Sequence, residues 1–340
     1  MPEGHTIHRL AAALNELYGG QNLHASSPQG RFADGASRLD GQVLLGGQAH
    51  GKHLFLPFGP RPDMPLDDAS VTWLRIHLGL YGSWTFDGDR EFTAPHAIGA
   101  PRRRVGERGE HALKGGGGSA LAGLKGGSVG VDPGEDTKRT GADSRGCPAP
   151  EDWEPPEPRG AVRLRLLGRH GVADLTGPAA CELLDAEGVA AVRRRLGPDP
   201  LRPDADMEVF VAKARSRRKS IGELLMDQAV ISGAGNIYRA ETLFRVGVSP
   251  FRAGNRISRE RLRAIWEDLR PLMEYGVATG FITTVDLDDV PDPLPPDDPE
   301  AGRWYVYHRT GRPCLRCGTP VAEQEVASRR LFWCPTCQAH

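Results

Sequence analysis

IGELLMDQAVISGAGNIYRAETLFRVGVSP, residues 221–250, carries the pattern around which the rest of the chain arranges itself. Two stretches of helical character flank ISGAGN. There Gly233 and Gly235 permit tight turns and leave backbone N–H groups open to an anion at the start of the next helix. Asn236 adds a side-chain amide to that cradle. A plain helix–turn–helix core punctuated by glycine is the alternative, and spacing leaves both readings open. The periodicity predicts helices in MEVFVAKARSR, SIGELLMDQAVI, IYRAETLFRVG and SRERLRAIWEDLRPLMEYGVATG. GPDPLRPDAD, just before them, reads as a proline-rich linker.

Towards the C-terminus, CLRC and CPTC place Cys314, Cys317, Cys334 and Cys337 as two Cys-x-x-Cys pairs separated by sixteen residues. That spacing sets two thiolate pairs at the ends of a β-hairpin in tetrahedral geometry, so one structural Zn²⁺ is expected. Four protein ligands leave no open position for water. The ion therefore supplies folding energy to a tail too small to have its own core.

Towards the N-terminus, HTIHRLAAALNELYGG predicts a helix with Ile7, Leu10, Leu14 and Leu17 on one face. Short apolar runs with Gly-rich turns follow and suggest a β-sandwich or barrel. From 101 to 160, glycine and proline dominate and no hydrophobic period survives, so a disordered insertion is expected. Strands resume in AVRLRLLGRHGVADL, and a helix is expected over 181–196. Units of 1–196, 203–285 and 303–340 result.

The chain starts MPEGHTIHRL. Removal of the initiator Met would leave Pro2 with a secondary α-amine. Such a group titrates about two units below a lysine side chain and is partly neutral at physiological pH. Together, the MPEG start, the Gly-rich helical hairpin and the terminal four-cysteine finger resemble the formamidopyrimidine-DNA glycosylase and endonuclease VIII family of base-excision repair enzymes. The resemblance spans nearly the whole chain except the Gly-rich insertion. It implies an α+β multidomain fold: a β-sandwich with a leading helix, a helix–two-turn–helix domain and a zinc-finger hairpin, with DNA between.

Carried over residue by residue, the resemblance implies Pro2 as the nucleophile that attacks C1′ of the damaged nucleotide and Glu3 as its acid/base partner at the sugar ring oxygen. Lys52, in HGKHLFLPF, would hold a phosphate beside the lesion. Gly235 and Asn236 would meet the DNA from the two-turn segment, and Arg329, with Arg330 beside it, from the finger. Leu80 and Tyr81, in HLGLYG, stand where the family fills the hole left by the flipped nucleotide. That pair resembles the endonuclease VIII branch, directed at oxidised pyrimidines; core packing of Leu80 is the alternative. The family usually continues with Pro and then Glu where this chain has His5 and Thr6, so His5 or a water would have to replace the second carboxylate.

The chain of 340 residues has a hydrophobic content of 39 % and a net charge of −1. The charge is segregated, with twelve Lys and Arg against four Asp and Glu over residues 212–263, and six Arg against two Glu over 303–340. An acidic stretch, 286–300, lies between these two basic regions, a footprint suited to phosphates. No apolar run reaches transmembrane length and no signal-peptide pattern appears, so a cytoplasmic monomer acting on damaged double-stranded or abasic DNA, with no membrane contact, is expected. A purine-directed glycosylase of the same family and a non-catalytic nucleic-acid-binding zinc protein are the competing readings.

Overall fold

The computed structural model describes residues 2–100 and 153–339. Most of the expected 101–160 insertion lies outside the described residues; its last part is placed, and the Trp153 indole donates to Asp87 Oδ1 at 3.1 Å. Helix α1 (Gly4–Tyr18) buries Ile7, Leu10, Leu14 and Tyr18. It leads into β1 (His24–Ser26), α2 (Ala33–Leu39), β2 (Val43–Leu44), β3 (Gln48–His50), β4 (His53–Gly59), β5 (Thr72–His77), β6 (Ser83–Gly88), β7 (Ala97–Gly99), β8 (Val162–Leu167), β9 (Gly171–Thr176) and β10 (Ala180–Leu184). One antiparallel sheet runs β1-β8-β9-β6-β7; the other runs β10-β5-β4-β2, with β3 also paired to β4. Leu54, Leu56, Leu74 and Ile76 of the second sheet meet Trp84, Leu164, Leu166 and Leu175 of the first in one core, which the apolar face of α1 closes.

The helix expected over 181–196 is only half present. Residues 180–184 form β10, paired antiparallel with β5, and α3 covers Ala186–Arg194. Asp185 marks the change, since its Oδ1 accepts the Gly188 N–H at 2.7 Å and caps the helix there. Pairing to a sheet edge overrides the helical propensity of Cys-Glu-Leu-Leu, because strand preference follows context more than composition.

Helices α4 (Met207–Arg215), α5 (Ile221–Leu224), α6 (Asn236–Arg245) and α7 (Arg259–Thr279) enclose a second core around Phe210, Leu224, Ile237, Tyr238, Ile265, Leu269 and Met273. Helix α5 is far shorter than SIGELLMDQAVI suggested. A Ser220/Glu223 capping box starts it, and then Gln228 turns the chain by accepting the Gly233 N–H at 2.9 Å and donating to Ala234 O at 3.1 Å. The finger hairpin joins β11 (Ala322–Val326) to β12 (Arg329–Trp333). Its two turn residues, Ala327 and Ser328, both have positive φ, 50° and 59°. Phe332 and Cys334 pack with Ala240 and Phe244 of α6 and with Tyr305 and Val306. The expectation of a tail without a core is thus corrected in one respect: the finger shares one with α6.

GPDPLRPDAD is no loose linker either. Asp199 within it is fully buried. Its Oδ2 takes the His8 Nε2 hydrogen bond and the Gly51 N–H, both at 2.7 Å, and its Oδ1 accepts the Leu201 N–H at 3.0 Å. One carboxylate thereby ties α1, the β3–β4 turn and the start of the helical unit together.

Candidate active site

Helix α1 begins where the two cores meet, and the contact is made backbone to backbone. The Gly4 N–H donates to Gly233 O at 2.8 Å, and a methyl group at Gly4 would lie 2.6 Å from Gly233 Cα. Only glycine permits that approach. Pro2 is buried at the wall of a recess of about 230 Å³, whose other lining residues include Ile7, Lys52, His77, Leu80, Met226 and Arg329. Lys52 reaches it from the two-residue turn between His50 and His53, held from behind by Asp199.

Glu3 is 1 % exposed and lies behind Pro2 against the first turn of α6. Its Oε1 accepts the Ile237 N–H at 2.9 Å, and the Gly235 N–H also bonds the carboxylate. The anion at this helix start is therefore Glu3, not the DNA phosphate expected at Gly235. A carboxylate from another part of the chain caps α6, where the helix dipole favours negative charge. Among the described residues its Oε2 has no hydrogen-bond partner. Burial raises the Glu3 pKa against the opposing pull of Lys52, while burial and Arg329 lower that of Lys52 against the pull of Glu3. Burial thus disfavours the charged form of both groups, and the attraction between them opposes it.

Gly235 follows from this geometry. A methyl group there would lie 2.3 Å from Glu3 Cδ, so Gly235→Ala must push the carboxylate out of its place. Overpacking of this kind costs about 1–3 kcal/mol, and displacing a catalytic group by ~1 Å costs ~100-fold in rate. Thermal unfolding together with single-turnover strand cleavage would measure both; unchanged cleavage would mean that Glu3 does not act from this position.

Asn236 Nδ2 donates to the Arg330 carbonyl at 3.0 Å, and Arg239 donates to Asn236 Oδ1. Arg239 also donates to the carbonyls of Arg330 at 2.9 Å and Gly222 at 3.4 Å, joining the two-turn segment to the finger. Burial lowers its pKa to about 10, so it stays charged. Nothing in the local sequence pattern marks this residue. Arg329 and Arg330 leave the hairpin turn differently. Arg330 pairs with Glu323, whereas Arg329 lines the recess.

Leu80 and Tyr81 are 44 % and 75 % exposed, which removes core packing as an account of Leu80. They sit on the turn between β5 and β6, which the Gly82 N–H closes onto Leu78 O at 2.9 Å. His5 is buried instead, edge-on to the Tyr238 ring at 5.6 Å. Burial and then Arg9 lower its pKa to about 3. The imidazole is therefore neutral at physiological pH and carries no charge in place of a second carboxylate.

The Sγ atoms of Cys314, Cys317, Cys334 and Cys337 lie within 4.8 Å of one another. Four thiolates at ~2.3 Å from one Zn²⁺ require separations of this order, so the donor set fits one structural ion. The acidic stretch corrects the charge count. Asp286 and Asp289 pair with Arg316, Asp286 also with Arg245, Asp297 with Arg312 and Asp298 with Arg309. Much of the finger's positive charge is consumed internally.

Pro2 at the wall of a recess that Lys52 and Arg329 also line, the Glu3 carboxylate buried beside it, and a hairpin with four clustered cysteines that brings Arg329 to the rim together define the site. Residues 1–106 match the formamidopyrimidine-DNA glycosylase N-terminal domain, 196–287 its H2TH domain, and 311–339 the zinc finger found in FPG and IleRS. Endonuclease 8 1 of Mycobacterium tuberculosis strain H37Rv is 37 % identical over 338 residues, 99 % of this chain and 100 % of the relative. The formamidopyrimidine-DNA glycosylase of Xanthomonas campestris pv. campestris strain B100 is 38 % identical over 42 % of this chain and 52 % of its own length. The fold matches that of the Lactococcus lactis formamidopyrimidine-DNA glycosylase in complex with abasic-site DNA, with a TM-score of 0.62 at 18 % identity over 99 % of this chain and 100 % of that one. The chain belongs to the formamidopyrimidine-DNA glycosylase and endonuclease VIII family, whose members are bifunctional DNA glycosylases and abasic-site lyases. Among the described residues, no helix is long and apolar enough to cross a membrane.

Proposed function

We propose that this protein removes oxidised bases, pyrimidines foremost, from double-stranded DNA and cuts the resulting abasic strand through an iminium on Pro2. The observation that carries this reading is the burial of Pro2 in a recess with Lys52 and Arg329, with Glu3 held behind it. The neutral Pro2 nitrogen attacks C1′, the base departs with the glycosidic electron pair, and the departing base takes up the proton that the nitrogen loses. Glu3 gives a proton to the sugar ring oxygen, which leaves C1′ as the ring opens to the iminium. The raised Glu3 pKa supports that role, because a carboxyl must hold a proton to donate one. Loss of a C2′ proton then expels the 3′ phosphate, a second elimination expels the 5′ phosphate, and water releases Pro2.

Lys52 and Arg329 grip the phosphates on either side of the flipped residue, with Asn236 and Arg330 supporting them through the finger backbone. Exposed Leu80 and Tyr81 fill the vacated stack, and this Leu-Tyr pair favours the pyrimidine-directed branch. The four cysteines hold the Zn²⁺ that keeps β12 in place. We assign 1–196 to the catalytic unit, 203–285 to the helical unit and 303–340 to the finger. All named groups come from one chain, so a monomer in the cytoplasm suffices.

Borohydride should trap a covalent adduct with duplexes carrying thymine glycol, dihydrouracil or an abasic site, and the adduct should map to the N-terminal peptide. Faster trapping on 8-oxoguanine than on either pyrimidine lesion would reverse the lesion preference. Adducts mapping to Lys52 would remove Pro2 as nucleophile.

A further inference from the structure

The arginines of the finger are largely neutralised by acids of the same chain, but one surface of the helical unit is not. Arg215 is exposed at the end of α4, Arg217, Arg218 and Lys219 are exposed in the connection to α5, and Arg256 is exposed and Arg252 half-buried on the segment paired with it. Among the described residues, no ion pair involves any of these six. Of the two acids nearest in sequence, Glu223 is occupied in the capping box with Ser220, and Glu260 feels the Arg263 and Arg215 charges but forms no ion pair with any of the six. The cations also stand on rigid backbone. The Asn255 N–H donates to Arg217 O, the Gly254 N–H to Lys219 O and the Ile221 N–H to Arg252 O, each at 2.9 Å.

This surface adjoins the candidate site. Gly222, three residues past Lys219, lies against Leu331 of β12, where a methyl group on it would be 3.6 Å from Leu331 Cδ2. The Phe251 ring, next to Arg252, meets Trp333 of β12 edge-on at 4.8 Å. Strand β12 begins at Arg329, so the cationic surface borders the strand whose first residue lines the recess. Unpaired like charges repel one another and disfavour the folded chain, a cost removed when a polyanion neutralises them. Arginines on a fixed backbone suit phosphate oxygens, and no exposed aromatic ring lies among them on which a base could stack.

We propose that Arg215, Arg217, Arg218, Lys219, Arg252 and Arg256 form a second DNA-binding surface, which holds backbone phosphates of the duplex outside the lesion and independently of its sequence. The proposal rests on the reading of the protein as a DNA-repair enzyme. It adds a contact that governs affinity and search and takes no part in the chemistry.

The test is the triple variant Arg215→Gln/Arg217→Gln/Arg218→Gln, which keeps the Arg217 carbonyl and alters no residue assigned to the recess. Binding to a duplex with a stable abasic analogue would be measured at about 9 and about 25 base pairs over a salt series. Wild type should bind the longer duplex more tightly. The variant should lose most of that advantage, ~10-fold or more, and the slope of log K against log salt should flatten by about 2–3, at ~0.9 per phosphate contact. Its melting temperature should be no lower than that of wild type, since like-charge repulsion is relieved, and its single-turnover cleavage at saturating enzyme should match wild type. Unchanged length dependence and salt slope overturn the proposal, as does a defect confined to single-stranded RNA. Failure of the wild type itself to bind or cut the abasic duplex at either length overturns the catalytic reading, a result distinguishable from loss of the length effect alone.

Discussion

Protein carrying a tag or acetyl group on the Pro2 nitrogen is expected to bind abasic duplex normally, yet neither to trap with borohydride nor to cut. An amide nitrogen shares its lone pair with the carbonyl and cannot become an iminium, so the covalent route is closed. The expected loss in strand cleavage is at least ~1,000-fold, equivalent to ~4 kcal/mol of barrier. Binding should survive because Lys52, Arg329 and the Asn236 network approach from other elements, and none depends on the Pro2 charge. Pro2→Gly separates nucleophile from shape. It keeps a free amine, though a primary one, and should still trap, more slowly. Equal cleavage by blocked and free protein would place the nucleophile elsewhere, with Lys52 the next group lining the recess.

Removing the zinc is expected to have the second largest effect. Structural zinc contributes ~10–16 kcal/mol of apparent binding energy in isolated fingers, and here Cys314 and Cys334 also belong to the core that Phe332 and Tyr305 share with Ala240 and Phe244. Chelation should therefore release the hairpin, and with it Arg329 and the Arg330 carbonyl that Asn236 and Arg239 hold. Affinity for abasic DNA should drop by ~100-fold or more. The sandwich core around Leu54 and Trp84 should melt near its original temperature, while α6 loosens. Cys334→Ser should behave in the same way, and zinc should restore only the wild type. A chelated protein with undiminished affinity would exclude the finger from DNA binding.

The charge pattern shows why counting along a chain misjudges a surface. Residues 303–340 carry an excess of arginine, but Asp286, Asp289, Asp297 and Asp298 fold back onto Arg316, Arg312 and Arg309. Of the finger's arginines Arg329 lines the recess, and among the described residues no ion pair involves the group around Arg217. Pairing between distant segments decides this, and no local window contains it.

The amino-acid sequence by itself determined whatever depends on local spacing or on chemistry unique to one residue type. Two Cys-x-x-Cys pairs can close one tetrahedral site wherever the hairpin lies, and the period of residues 259–279 demands a helix. The tertiary structure alone decided whatever depends on partners far along the chain. Asp199, in a stretch that reads as linker, became a buried tie between His8 and Gly51. Residues 180–184 became a strand because β5 offered an open edge. Gly235, which promised a seat for a phosphate, instead received Glu3. The physical reason is common to all three: a buried polar group or an open sheet edge must find a partner. That partner is chosen by proximity in space, which only the packed chain defines.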